Sequence, residues 1–254
     1  MALLQVRDLT KNFGGLAAVS NLDFDVAEGE ILSMIGPNGA GKTTVFNMIT
    51  GIYKPTHGSI RFNGSNLVGL KPHRVAELGI ARTFQTIRLF PALTASQNVM
   101  SGLHCRTRQG FWGAVFRPPS QKKEETSIRH ETEKHLRFMG LYDFRDELAR
   151  NLPYGHQRRL EIARALATSP RLLTLDEPAA GLNEEESAEL MEIIRKIRAS
   201  GITVFLIEHD MKVVMGISDR IVVLNHGKKI AEGTVAEVQG NPLVIEAYLG
   251  TETD

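Results

Sequence analysis

The chain has 254 residues, with 30 Lys and Arg against 29 Asp and Glu, leaving a formal charge of +1. Its length allows one large core that buries roughly three quarters of the unfolded surface, and 42% hydrophobic with 23% charged residues argue against a disordered or fibrous chain. The balanced charge removes bulk attraction to nucleic acid or anionic lipid. The lone Cys105 excludes an internal disulfide. No apolar run reaches the ~18 residues that span a bilayer, and the N-terminus lacks the apolar core of a signal peptide, so the expectation is a soluble, cytoplasmic protein.

In chain order, residues 3–8 and 22–26 alternate, with Leu22, Phe24 and Val26 on one face and Asp23 and Asp25 on the other, as in a half-buried antiparallel sheet. Ile31 to Ile35 is almost continuously apolar, the pattern of a strand covered on both faces. Leu172 to Leu175, Ile202 to Ile207 and Ile221 to Leu224 share that character. Residues 44–50 read as a helix. In 184–199, Leu190, Ile193, Ile194 and Ile197 recur at helical spacing; Asn183 is its predicted cap, with Glu186 completing a capping box. The stretch 86–160 has no apolar strand run, and 124–141 is a polar helix with Ile128, Leu136, Met139 and Leu141 as its apolar positions. The predicted fold class is α/β, a doubly wound parallel core with an antiparallel β subdomain and an inserted helical subdomain. Residues 1–85 and 161–254 form the core in this reading, and 86–160 the helical insertion.

Three segments carry chemistry. Gly36-Pro37-Asn38-Gly39-Ala40-Gly41-Lys42-Thr43 fits G-x-x-x-x-G-K-[ST] between a buried strand and the helix that Thr44 opens, which is the context of a phosphate-binding loop. Its glycines let successive backbone N–H groups converge on phosphate oxygens; Lys42 adds a point charge, and the Thr43 hydroxyl is placed for Mg²⁺. Leu172 to Pro178, LLTLDEP, ends an apolar strand in two carboxylates. At the carboxyl edge of the sheet, Asp176 is placed to hold the metal, and Glu177 can turn toward an attacking water as general base, or polarise it. His209 follows another core strand, where an imidazole could reach a γ-phosphate.

With these motifs the sequence resembles the nucleotide-binding subunit of an ABC transporter along essentially its whole length. The resemblance implies ATP and Mg²⁺ as cofactors. It makes Phe13, in Lys11-Asn12-Phe13-Gly14-Gly15, the aromatic on which adenine stacks. Gln85, in Arg82-Thr83-Phe84-Gln85, becomes the glutamine that reaches the metal and the water. His209 becomes the switch histidine, and Ala180-Gly181-Leu182-Asn183 a loop crossing the dimer interface. The family signature is usually Leu-Ser-Gly-Gly-Gln; here Leu152-Pro153-Tyr154-Gly155-His156-Gln157 opens the helix Arg158 to Leu166. Pro153 brings neither a hydroxyl nor an N–H to the serine position. A homodimer would carry two weakened sites, so a heterodimer with a second ATPase subunit is the favoured expectation.

Several stretches are similar to the branched-chain amino-acid uptake group: Arg82 to Gln85 with Leu89-Phe90, Tyr154-Gly155 with Gln157 to Arg164, Glu177 to Asn183, Glu208 to Met211 with Val214 to Arg220, and the terminal Ala247-Tyr248-Leu249-Gly250. That group implies two membrane permeases, two different ATPases and a substrate-binding protein outside the membrane, with this chain on the inner face. A lipopolysaccharide-export-like ATPase and a non-transport ABC ATPase acting on nucleic acid are the alternatives. The latter is disfavoured by a single cassette without heptads or basic extensions, so no nucleic-acid partner is expected. A degenerate, non-hydrolysing scaffold is disfavoured because Lys42, Thr43, Asp176, Glu177 and His209 are all present. The basic, Trp-bearing stretch 103–123 is expected to be a solvated insertion, with membrane-surface contact as the sharper option.

Overall fold

The computed structural model describes residues 2–104 and 119–249, and the chain divides into two compact units, Met1–Arg82 with Arg171–Asp254, and Thr83–Pro170. The expectation for 103–123 lies for the most part outside the described residues.

The first unit contains two sheets. In one, β1 (Ala2–Phe13) and β2 (Leu16–Ala27) pair antiparallel, with β4 (His57–Phe62) and the short β5 (Ser65–Asn66) completing the order β2-β1-β4-β5. Leu22, Phe24 and Val26 are buried and Asp23 is exposed, so the alternation of polar and apolar residues sets the faces. Both strands run several residues past the alternating segments. The second sheet has the order β10-β9-β3-β8-β7-β6, formed by β3 (Ile31–Ile35), β6 (Ile80–Arg82), β7 (Leu172–Asp176), β8 (Thr203–Ile207), β9 (Arg220–Asn225) and β10 (Lys228–Gly233). Strands β9, β3, β8, β7 and β6 are parallel and β10 is antiparallel. Every residue of β3, β7 and β8 is buried. This is why these strands are uninterrupted apolar runs: both faces of a parallel sheet are covered.

Helix α1 (Lys42–Ile49) follows β3, and α2 (Pro72–Glu77) precedes β6. Between β7 and β8 lies α6 (Glu184–Ala199), with Leu190, Ile193, Ile194 and Ile197 buried and the Asn183–Glu186 capping box formed in both directions. After β8 come α7 (Met211–Ile217), then α8 (Val235–Gln239) and α9 (Pro242–Leu249). Val244 and Tyr248 of α9 pack in a cluster with Ile35, Ile221 and Val223, so the C-terminal helix braces the end of β3.

The second unit is helical: α3 (Ala95–His104), α4 (Pro119–Phe138) and α5 (Tyr154–Ala167), with short 3-10 turns at Tyr142–Phe144 and Ala149–Asn151. Among its described residues the one β-type pairing is an isolated bridge, Thr94 to Leu148. Leu136, Met139 and Leu141 are fully buried. The sequence-based boundary at 160/161 cuts α5 in two and is corrected by the structure. The compact unit Thr83–Pro170 takes in the whole of Tyr154–Ala167, so the helix is not divided between the units.

Candidate nucleotide site

The loop between β3 and α1 curls through glycines. Gly36, Gly39 and Gly41 have φ of 147°, 78° and 101°, and a Cβ on Gly41 would stand 2.5 Å from the Ala18 carbonyl oxygen. Both the dihedral and the space demand glycine at that position. Gly41 caps α1 without any side-chain bond, which leaves the first N–H groups of the helix free for an anion. Lys42 is buried; its Nζ donates to the carbonyl oxygens of Gly36 (2.5 Å) and Pro37 (3.0 Å). Burial lowers the Lys42 pKa, partly offset by the nearby Glu177 and Asp176 carboxylates. A lysine folded onto its own loop and facing two acids is poised to exchange carbonyls for phosphate oxygens. Thr43 is exposed at the head of α1, with Thr44 half-buried behind it; Asn38 and Gly39 are exposed, Pro37 is half-buried and Ala40 is buried.

Asp176 ends β7 and is 3% exposed. One oxygen accepts from Arg82 Nη2 at 2.8 Å, and Arg82 Nη1 donates to Asn47 Oδ1 (2.7 Å) and Thr50 Oγ1 (2.9 Å) of α1. Arg82 therefore ties the end of β6 to α1 and to the carboxylate. Glu177 remains bonded to the sheet through its N–H to the Ile207 carbonyl (2.9 Å), yet has φ 48°, a left-handed conformation that costs a non-glycine residue about 1–3 kcal/mol. That turn gives Glu177 a direction that the strand alternation would not give it. Its Oε2 lies 3.7 Å from His209 Nδ1. His209 is exposed just beyond β8, the strand between β3 and β7. The fully buried Glu208 beside it accepts N–H groups from Ala179 (2.8 Å) and His209 (3.0 Å), fixing the turn after Pro178. Burial pushes the Glu208 carboxyl pKa up, and these N–H bonds oppose the shift.

Phe13, at the end of β1, is 43% exposed and meets Tyr53 edge-on at 5.3 Å, with Lys11 Nζ 4.9 Å from the Phe13 ring centre. An exposed ring beside a second aromatic and a cation suits a flat heterocycle with a phosphate tail. Phe13, the loop Gly36 to Thr44, Asp176, Glu177 and His209 all lie in the first unit; Gln85, exposed, belongs to the second.

The donor set fits Mg²⁺ bound together with phosphates. Among the described residues no three His, Cys, Asp or Glu side chains come together as a metal site. A single carboxylate and a hydroxyl, both hard oxygen donors, match a small cation that takes its remaining ligands from water and substrate phosphates. Sequence reasoning missed Arg82, Lys11, Tyr53 and Glu208. For Arg82, the one available signal is a cation ending the apolar pair Ile80-Ala81.

Residues 19–180 match the ABC transporter family, and residues 228–254 match the branched-chain amino acid ATP-binding cassette transporter family. The chain is 48% identical over 249 residues to the high-affinity branched-chain amino acid transport ATP-binding protein BraF of Pseudomonas aeruginosa, covering 98% of each. It is 47% identical to LivG of Escherichia coli, of the same description, again over 98% of each chain. A lipopolysaccharide export system ATP-binding protein, LptB of Acidithiobacillus ferridurans, is 34% identical over 98% of each. Among solved structures, the ADP conformation of the ATP-binding cassette MJ1267 superimposes with a TM-score of 0.86 at 31% identity, over 98% of this chain and 99% of that one. Among the described residues no helix is long and apolar enough to cross a membrane. A family match across most of the chain, with relatives near half identical from end to end, fixes the classification: the chain belongs to the ABC transporter family, as one of its ATP-binding cassettes.

Proposed function

We propose that this cassette is the ATP-hydrolysing subunit of an importer for branched-chain or related amino acids. The observation that carries the ATPase part is the convergence of the curled loop and buried Lys42 with Asp176 and a Glu177 turned out of its strand. The end-to-end similarity to BraF and LivG supports the substrate class.

In this reading Phe13 stacks on adenine, and the N–H groups from Gly36 to Thr44 together with Lys42 hold the phosphates. Thr43 and Asp176 hold the Mg²⁺ with Gln85, and the ion supplies charge neutralisation on the phosphates. Water attacks the γ-phosphorus in line with the bond to ADP; that P–O bond breaks and the water proton passes to Glu177. His209 contacts the transferred group and keeps Glu177 aligned. Two permease subunits hold the cassette at the inner face of the membrane, a binding protein outside delivers substrate, and a second, different ATPase subunit faces this one. What supports the heterodimer is Pro153, which is exposed and caps α5 with no side-chain bond. A partner with an intact signature would complete the site on this chain's own loop.

The test is uptake of labelled leucine, isoleucine and valine by cells lacking this chain and complemented with it. Complementation by the natural chain but not by Glu177→Gln is expected, together with retained ATP binding and a ~10²–10⁴-fold loss of hydrolysis in the purified variant. Unimpaired hydrolysis by Glu177→Gln would overturn the catalytic assignment; uptake independent of the chain would overturn the substrate class.

A further inference from the structure

Inside the second unit, one buried guanidinium joins the loop that carries Gln85 to the segment that carries the signature. Arg158 and Glu161, on α5, are 0% and 1% exposed and lie 3.3 Å apart. Arg158 Nη1 donates to the Phe84 carbonyl at 2.8 Å. Its Nη2 donates to the Gln85 carbonyl at 2.9 Å and to the Tyr154 hydroxyl at 3.2 Å. Glu161 Oε1 accepts the Arg88 N–H at 3.0 Å, and the Arg88 guanidinium lies 4.2 Å from the Phe84 ring centre. Two side chains of one helix therefore hold the backbone of 84–88, and Tyr154, at the first-glycine position of the signature, shares a nitrogen with the Gln85 carbonyl.

A guanidinium is planar and presents its donors in a rigid fork. Moving the Gln85 carbonyl away from it, while Tyr154 stays still, would leave a buried charge with a missing acceptor, which is costly where no water replaces the bond. The less costly motion carries loop and helix end together.

We infer that Arg158 is a positioning residue that makes the Gln85 loop and the signature segment Leu152 to Gly155 one mechanical piece. The inference rests on the roles proposed above: Gln85 answers to the nucleotide held by this chain, and the signature covers the nucleotide held by its partner. Arg158 then links the two nucleotide sites of a pair, and any displacement of Gln85 by the first site is delivered to the second.

The experiment is hydrogen exchange by mass spectrometry on the Glu177→Gln chain with and without Mg-ATP, at a dilution where light scattering shows a monomer. Binding is followed in parallel with a fluorescent ATP analogue. ATP is expected to slow exchange severalfold in both 84–90 and 154–160. Adding Arg158→Lys keeps a charge for Glu161 but offers one ammonium in place of the fork; slowing at 84–90 should persist while slowing at 154–160 is lost. Tyr154→Phe removes only a hydroxyl from an exposed ring, so it keeps the helix intact, and it should at least halve the effect at 154–160. Equal slowing of both segments in the two variants would overturn the inference, as would a silent 154–160 beside a responsive 84–90 in the parent. If ATP binds and neither segment responds, the proposed role of Gln85 fails and the link falls with it.

Discussion

Lys42 shows how one residue connects folding to ligand binding. Its ammonium is buried against the loop carbonyls, and the desolvation that lowers its pKa is only partly offset by Glu177 and Asp176. The charged form is the one that attracts phosphate, and it is lost as pH rises through the lowered pKa. ATP affinity is therefore expected to fall on the alkaline side, at a lower pH than an ordinary lysine would dictate. Titrating a fluorescent ATP analogue across that range checks this, with Lys42→Ala weak and flat throughout; a natural chain whose affinity is pH-independent there would contradict it. Arg82 acts at the same scale in a different way. It occupies one oxygen of Asp176 while bonded to Asn47 and Thr50, so the carboxylate is held in one orientation by the fold itself.

At the scale of elements, α6 owes its start to side-chain chemistry and its placement to its apolar stripe. The Asn183 side chain accepts the Glu186 N–H at 2.9 Å, and Glu186 returns a bond to the Asn183 N–H at 3.0 Å. Glu184, Glu185 and Glu186 occupy the first turn and Lys196 and Arg198 the last, both favourable to the helix dipole. Replacing Asn183 by Ala removes one half of the box and should cost about 1 kcal/mol, read as a lower urea midpoint with an unchanged slope. An unchanged midpoint would mean that packing of Leu190 to Ile197 alone sets the helix start. The loop 180–183 before it would then be no more mobile than in the natural chain.

At the scale of the whole molecule, Pro153 connects one residue to the assembly. In the proposed heterodimer its missing hydroxyl weakens only the site on the partner's loop. A hydrogen bond to a charged group is worth ~1.5–3 kcal/mol net, so Pro153→Ser should raise hydrolysis by that site roughly tenfold or more. The measurement is the ATPase rate of the paired complex in which this chain carries Glu177→Gln, so that only the partner's loop turns over. No gain would show that the hydroxyl is dispensable or that the pairing is otherwise. The same assembly gives the Arg158 link its purpose, because it is useful only when two sites face each other.

The sequence by itself determined what is written in consecutive residues. The buried parallel strands appear as uninterrupted apolar runs, α6 as a spaced stripe with its cap, and the phosphate loop and Leu172 to Pro178 as short strings whose neighbours in the chain are also their neighbours in space. Strand β6 is three residues long and β10 begins with two lysines, so neither shows a period. Tertiary structure alone decided the partners of ionised groups. Arg82 and Asp176 are 94 positions apart, and Arg158 meets Gln85 across 73. A cation in a basic run such as Gln157-Arg158-Arg159 is ordinarily solvated. Only the packing of α5 against its own loop removed water from Arg158 and made those carbonyls its acceptors, because burial and pairing depend on which distant segment arrives, and no local pattern encodes that.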